Sequence, residues 1–322
     1  MNKTLSMIAA LLLLPLAAWA HVTAEYADTV RFRFATEAEG RQLMGADDVY
    51  TRGWSEFDIV SRLKNPKGTR AELLAYKQAE VRAWTPEEQQ TILRDMYAIN
   101  QLVRTQGYRL PLPHEVVLVK TTMKDEGDAA GYTQANWIAL TDQICTRMKP
   151  EARRDLLLHE LSHVLTRNSL EYKERLYAAL GFTLVRGGLE YPAELLKTRI
   201  SNPDIGAYDS YGPFTIKGRT ENCAMYLYAD RPYTGGRFFE YVKVAFVPYD
   251  AQLRPKCDAN GKVLVYGMED VEDFFERVGK NTNYIIHPEE ILAENFVLAF
   301  LQTPGVPTPQ LQQRVYKVLK GE

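Results

Sequence analysis

Two histidines four residues apart, His159 and His163, stand in an apolar run with Glu160 directly after the first. Pro150 resets the chain ahead of them, and the good helix formers that follow predict a helix from about residue 151 to 166. On a helix, residues four apart project from one face, one turn above the other. Two imidazoles so placed can share one metal ion, and zinc accepts such nitrogens at about 2.0–2.1 Å. Glu160 then sits beside the ion without having to bind it, placed to take a proton from a water that the metal has acidified. Leu156, Leu157, Leu161, Val164 and Leu165 surround the pair with apolar side chains, which predicts a dry wall behind the metal. The blander reading is a helix carrying two unrelated histidines. The chain has only 5 histidines, and two fall at this spacing with glutamate in the required place, so zinc binding is the stronger reading.

A catalytic zinc ordinarily has three protein ligands and one open position. No glycine or histidine follows His163 at the offsets of the extended metzincin motif, and His21 and His114 have no helical partner. Two glutamate pairs at i, i+4 compete for the third place: Glu190 with Glu194, and Glu290 with Glu294. Pro192 lies inside the first pair and disfavours the helix that would aim both carboxylates. Pro288 instead suits the first turn of a helix carrying Glu290 and Glu294 on one face. A solvated acidic first turn would look the same in isolation. With one zinc ligand unfilled, Glu290 is expected as the third ligand, and Glu294 as the carboxylate that orients a ligand histidine.

This combination resembles the gluzincins, in which a two-histidine helix is completed by a glutamate on a later helix. The segment from Glu290 through Glu294 to Phe296 is especially similar to the glutamate helix of anthrax lethal-factor-type metallopeptidases. The resemblance covers residues 131–167 and 284–298 only. It implies a zincin fold of class α+β, with an edge strand along a cleft and the two helices behind it. It implies Glu290 as ligand, Glu294 as its outer support, and a tyrosine upstream of the glutamate helix that assists the reaction. Tyr284 stands near that place. The 126 residues between His163 and Glu290 exceed what simple gluzincins use.

The start of the chain has its own signature. Lys3 precedes an apolar run from Met7 to Leu16, and Ala18, Trp19 and Ala20 form a small-residue cleavage pattern. Residues 1–20 are therefore expected to be a signal peptide, with the mature chain exported, periplasmic or secreted, and without a stable membrane anchor. A net charge of -2 suggests no nucleic-acid surface. With 322 residues, 46% of them hydrophobic, the chain can bury one large core or two modest ones. Three cysteines permit at most one internal disulfide; Cys223 and Cys257 flank one β-rich stretch and are the expected pair, leaving Cys145 free.

Beyond the signal, residues 21–110 read as a helical region, with Thr85 and Pro86 opening one helix and residues 54–58 a capped turn into another. Residues 111–200 read as the zincin domain, with strands at 116–122 and 131–140, the latter the natural edge strand. Residues 201–265, rich in tyrosine and turn signals, read as a β-rich insertion, and 266–322 as the closing helices, at 269–278, 288–301 and 309–319. The expectation is an exported zinc metallopeptidase acting on a peptide or protein, with catalytic residues Glu160 and Tyr284 and metal ligands His159, His163 and Glu290. Its rivals are a zincin-fold scaffold without turnover and a zinc amidase acting on cell-wall peptides. Oligomeric state is not legible.

Overall fold

The computed structural model describes residues 23–24 and 31–322. The expected signal at residues 1–20, and His21 after it, lie outside the described residues. The chain forms β1 (Thr23–Ala24), β2 (Arg31–Phe34), α1 (Glu37–Met44), α2 (Val49–Arg52), α3 (Glu56–Leu63), α4 (Arg70–Ala79), β3 (Val81–Arg82) and α5 (Pro86–Gln106). Then come β4 (Glu115–Thr121), β5 (Gly131–Gln134), β6 (Trp137–Thr141), α6 (Ile144–Arg147), α7 (Pro150–Asn168), α8 (Leu170–Leu180), β7 (Thr183–Leu184) and α9 (Ala193–Leu196). The remainder is β8 (Ser210–Ile216), β9 (Arg219–Ala229), β10 (Val242–Pro248), α10 (Phe274–Val278), α11 (Pro288–Phe300) and α12 (Pro309–Leu319).

The class is mixed α+β. One sheet runs β1-β2-β4-β6-β5, with β3 added beside β4. Strands β2, β4 and β6 are mutually parallel, whereas β5 closes the far edge antiparallel to β6. The second sheet is antiparallel in the order β10-β9-β8-β7. It draws three of its strands from the stretch read as β-rich. Among the described residues no helix is long and apolar enough to cross a membrane.

Local chemistry accounts for the helix ends. The Thr85 hydroxyl accepts from the Glu88 amide at 3.2 Å while the Glu88 carboxylate accepts from the Thr85 amide at 2.8 Å, and Pro86 supplies the first helical position. Ser55 and Asp58 cap α3 the same way. Helix α8 stops at Gly181, whose φ of 92° is left-handed and sterically cheap only for glycine.

Region 21–110 is mostly helical, and β2 and β3 within it join the main sheet. In β2, Phe32 and Phe34 alternate inward between arginines, too short a period-two pattern to stand out. Three expectations need correction. Residues 131–140 are not one strand: the chain reverses at Ala135, in the left-handed region at φ 45°, so only β5 is the edge. In the stretch read as helical from 269 to 278, only Phe274–Val278 is α-helix, after a single 3-10 turn at Met268–Asp270. Finally, Cys223 and Cys257 are not paired, and all three cysteines are free. Cys223 points into the core from β9, whereas Cys257 is exposed beyond the sheet.

One core joins the layers. Leu118, Ile138 and Leu140 from the main sheet pack with Leu157, Leu158, Leu161 and Val164 of α7, and with Ile291, Leu292 and Phe296 of α11. Phe214 and Phe246 of the second sheet extend the same cluster. Helix α7 is buried on nearly every side from Leu157 to Thr166. Truncating a fully buried residue there, such as Leu158, to alanine costs about 2–5 kcal/mol. The histidines therefore stand on a rigid element.

Candidate metal centre

Helices α7 and α11 bring His159, His163 and Glu290 together, with one ligand atom from each lying within 4.8 Å of the others. The Glu290 Oε2 atom is 3.2 Å from His159 Nε2 and 3.7 Å from His163 Nε2. Donors held 2.0–2.1 Å from a tetrahedral ion stand roughly 3.3 Å apart, so these separations are those of one shared coordination sphere. The other ring nitrogens are fixed from outside. His159 Nδ1 is 3.0 Å from Glu294 Oε1, and His163 Nδ1 is 3.2 Å from Glu289 Oε1. With Nδ1–H donated to a carboxylate, each Nε2 keeps its lone pair for the centre.

The fit to a cation rests on an orphan. His163 is fully buried, and its Nε2 has no hydrogen-bond partner among the described residues. A buried imidazole nitrogen left unpaired is costly unless something else takes its lone pair. Charge leans the same way, because Glu160, Glu289, Glu290, Glu294 and Asp204 crowd two imidazoles. Burial works against the His159 imidazolium, but Glu290 and Glu294 outweigh it and raise its pKa well above the usual value. At His163 burial is likewise overcome, by Asp204, Glu289 and Glu290, and the pKa rises to about 10. Glu290 is held below the usual carboxylate range because the two histidines outweigh its burial. Sites that bind protons this tightly through carboxylate–imidazole contacts offer the same lone pairs to a divalent metal.

Glu160 lies beside this cluster and is buried. The Thr133 hydroxyl on β5 donates to its Oε2 at 2.8 Å. Burial raises its pKa, against the pull of His159, His163 and Thr133. Gly131 allows β5 to come this close, since a Cβ there would lie 2.9 Å from Glu160 Oε1. Tyr284 is 37% exposed, with its ring centroid 6.4 Å from that of His159. Burial of its phenol and the neighbouring carboxylates raise its pKa, keeping the hydroxyl protonated.

Helix α11 is aimed by its own cap. His287 Nδ1 accepts from the Glu289 amide at 3.2 Å. Burial lowers the His287 pKa to about 4, so the ring is neutral and keeps the acceptor that capping requires. Pro288 follows at the first helical position.

The structure does not bring Glu190 or Glu194 into the metal-holding groups; both are exposed, Glu194 within α9 and Glu190 ahead of it. His114 is exposed as well. Three contributors were not anticipated. Glu289 anchors His163 and accepts from the Tyr177 hydroxyl at 2.5 Å and from Thr166. Asn202 Nδ2 donates to Glu290 Oε1 at 2.8 Å. Asp204 forms a second possible metal-holding group with Glu160 and His163. Glu289 carried a faint signal, an acidic neighbour in the same first turn as Glu290; the other two, in an irregular segment far along the chain, carried none. No protein-family model, curated protein or solved structure matches the chain.

Proposed function

We propose that this chain is an exported zinc metallopeptidase of gluzincin type, hydrolysing peptide bonds with water activated at the His159–His163–Glu290 centre. The observation that carries the reading is the convergence of two imidazole Nε2 atoms and Glu290 Oε2 at ligand-to-ligand spacing, with the Glu160 carboxylate alongside. The antiparallel edge strand β5 packed on α7 supports the zincin reading of the fold.

Zinc, held by His159, His163 and Glu290, would supply Lewis acidity that polarises the scissile carbonyl and acidifies water. The residues of the chain do the rest. Glu160, oriented by Thr133 and with its pKa raised by burial, accepts the proton of the attacking water and returns it to the leaving amine. Glu294 and Glu289 hold the two imidazoles in the tautomer that frees Nε2. Tyr284, protonated and on the exposed side of His159, donates to the developing oxyanion. Strand β5 is the surface on which an extended peptide adds as a further strand.

The test is zinc content and cleavage of a diverse peptide library by the purified mature protein, with and without chelator. Glu160→Gln should keep the zinc and lose activity by about 10²-fold or more, the worth of a positioned acid–base group. Full cleavage by a zinc-loaded Glu160→Gln variant, or a wild-type protein that takes up no zinc, would defeat the proposal.

A further inference from the structure

The edge of β5 already has an occupant. The Thr133 amide points out of the sheet and donates to Asp204 Oδ1 at 2.6 Å. Next to it, Gln134 Nε2 donates to the Pro203 carbonyl at 2.6 Å. Residues 202–204 thus take the backbone donor and the side-chain amide that an incoming peptide would use. The same segment touches the metal ligands, because Asn202 donates to Glu290 Oε1 at 2.8 Å. Asp204, 8% exposed, offers its carboxylate within 4.8 Å of ligand atoms on Glu160 and His163. His163, whose fully buried Nε2 lacks a hydrogen-bond partner among the described residues, belongs to this same cluster.

Two buried carboxylates, Asp204 and Glu160, lie close together with His163 beside both. Like charges in low dielectric repel, and a cation held nearby turns that repulsion into attraction. The segment is pinned at both ends. Arg167 of α7 donates to the carbonyls of Pro203 at 2.9 Å and Asp204 at 2.7 Å. Before it, the Ser201 amide donates to Asp58 at 3.0 Å and its carbonyl accepts from Arg62 at 2.7 Å, both contacts made by α3. Gly206 and Ala207, just beyond, are exposed.

We propose that Asn202–Asp204 is an internal stand-in for substrate: Asp204 occupies the peptide-carbonyl position on β5 and the Glu160 side of the metal centre, and keeps the site closed until a peptide displaces it. This rests on the metallopeptidase reading and adds its regulation. A ligand that can bind only the open fraction is weakened by that fraction, so an Asp204 in place nine-tenths of the time costs about tenfold in affinity.

The full mature chain, loaded with Co²⁺ as a coloured substitute metal, tests this without recourse to turnover. Asp204→Asn keeps the acceptor for the Thr133 amide but removes the anionic donor. The visible cobalt bands should shift in the variant, and acetohydroxamate, a small metal-binding probe, should bind about tenfold or more tightly. Identical bands with unchanged acetohydroxamate affinity overturn the proposal, and so does complete loss of cobalt, which would make Asp204 an obligatory ligand. Hydrogen exchange on the unmutated cobalt protein needs no variant to fold. Saturating acetohydroxamate should speed exchange at the Thr133 amide, and unchanged protection there refutes displacement. The two readings fail differently: a wild-type chain that binds no cobalt defeats both, whereas a loaded wild type indistinguishable from Asp204→Asn defeats this one alone.

Discussion

Glu289 and Glu294 each bond a histidine of the candidate metal centre, yet the structure predicts unequal consequences for their loss. The Glu289 side chain is 5% exposed and bonds His163, itself at 0%; that of Glu294 is 40% exposed and bonds His159, at 13%. Glu289→Gln keeps the shape of the side chain and removes the charge on which His163 Nδ1, Tyr177 and Thr166 all converge. Hydrogen bonds to a charged group contribute about 1.5–3 kcal/mol, and the burial of Glu289 between α7 and α11 limits how well water replaces them. Loss of an outer partner of a ligand histidine commonly weakens metal binding by roughly 10–100-fold. Burial places Glu289→Gln near the upper end, about 100-fold. Solvent access places Glu294→Gln near tenfold or below, because water can accept from His159 in place of the carboxylate. The measurement is a zinc competition titration against a chromophoric chelator, with melting of the metal-free proteins as a check on folding. Native zinc affinity in a folded Glu289→Gln protein, or a larger loss in Glu294→Gln, would refute the reasoning.

The third ligand can be assigned by metal content: Glu290→Ala should strip zinc about as thoroughly as His159→Ala, while Glu190→Ala should retain a full equivalent, and the reverse order would move the ligand. A second expectation concerns acid stability, governed by the buried network of Arg62, Lys77, Asp125 and Glu126. Burial alone would raise the Glu126 pKa, but Arg62 and Lys77 outweigh it and bring it to about 2. A carboxylate with a depressed folded pKa stabilises the fold above its ordinary value of 4.5, and that stability is lost as pH falls from there toward 2. Asp125, raised by its burial, shifts the opposite way and blunts the loss. Thermal unfolding followed from pH 6 to pH 3 should show the fall, and Glu126→Gln should flatten it while costing about 3–5 kcal/mol at neutral pH; an unchanged slope in the variant would sink this account.

The parts of the site that could be read from sequence are those with local grammar. Helix α7 announces itself by the i, i+4 histidines, and α11 by Pro288 ahead of an i, i+4 glutamate pair, so four of the centre's side chains follow from spacing. The caps at Thr85 and Ser55 are equally local. The turn at Ala135 carries no glycine, and a left-handed alanine leaves no trace in the alternation of β5 and β6. Glu289 hides because consecutive helical residues point about 100° apart; next to Glu290, it serves the other nitrogen of His163. Cys223 and Cys257 shared a β-rich neighbourhood in sequence, but which face of β9 points inward is a property of the packed sheets.

The least legible residue is Asp58, and it links the regions. As the third residue of α3 it completes the capping box with Ser55, a local role evident from the sequence. It is also fully buried, and both its carboxylate oxygens accept from the amide of Ser201, 143 residues away, while Oδ1 holds Arg62 at 2.7 Å. Arg62 in turn reaches the Ser201 carbonyl and Glu126. A cap that pins a distant loop cannot be told from an ordinary cap by spacing, because both need the same serine and aspartate. Yet this contact gives the N-terminal helices a task at the centre. They hold the start of the segment that carries Asn202 onto Glu290 and Asp204 onto Thr133. The long separation between His163 and Glu290 includes the segment that makes this reach, so the helical region and the β-rich stretch meet at Ser201, next to the residue that reaches the candidate centre.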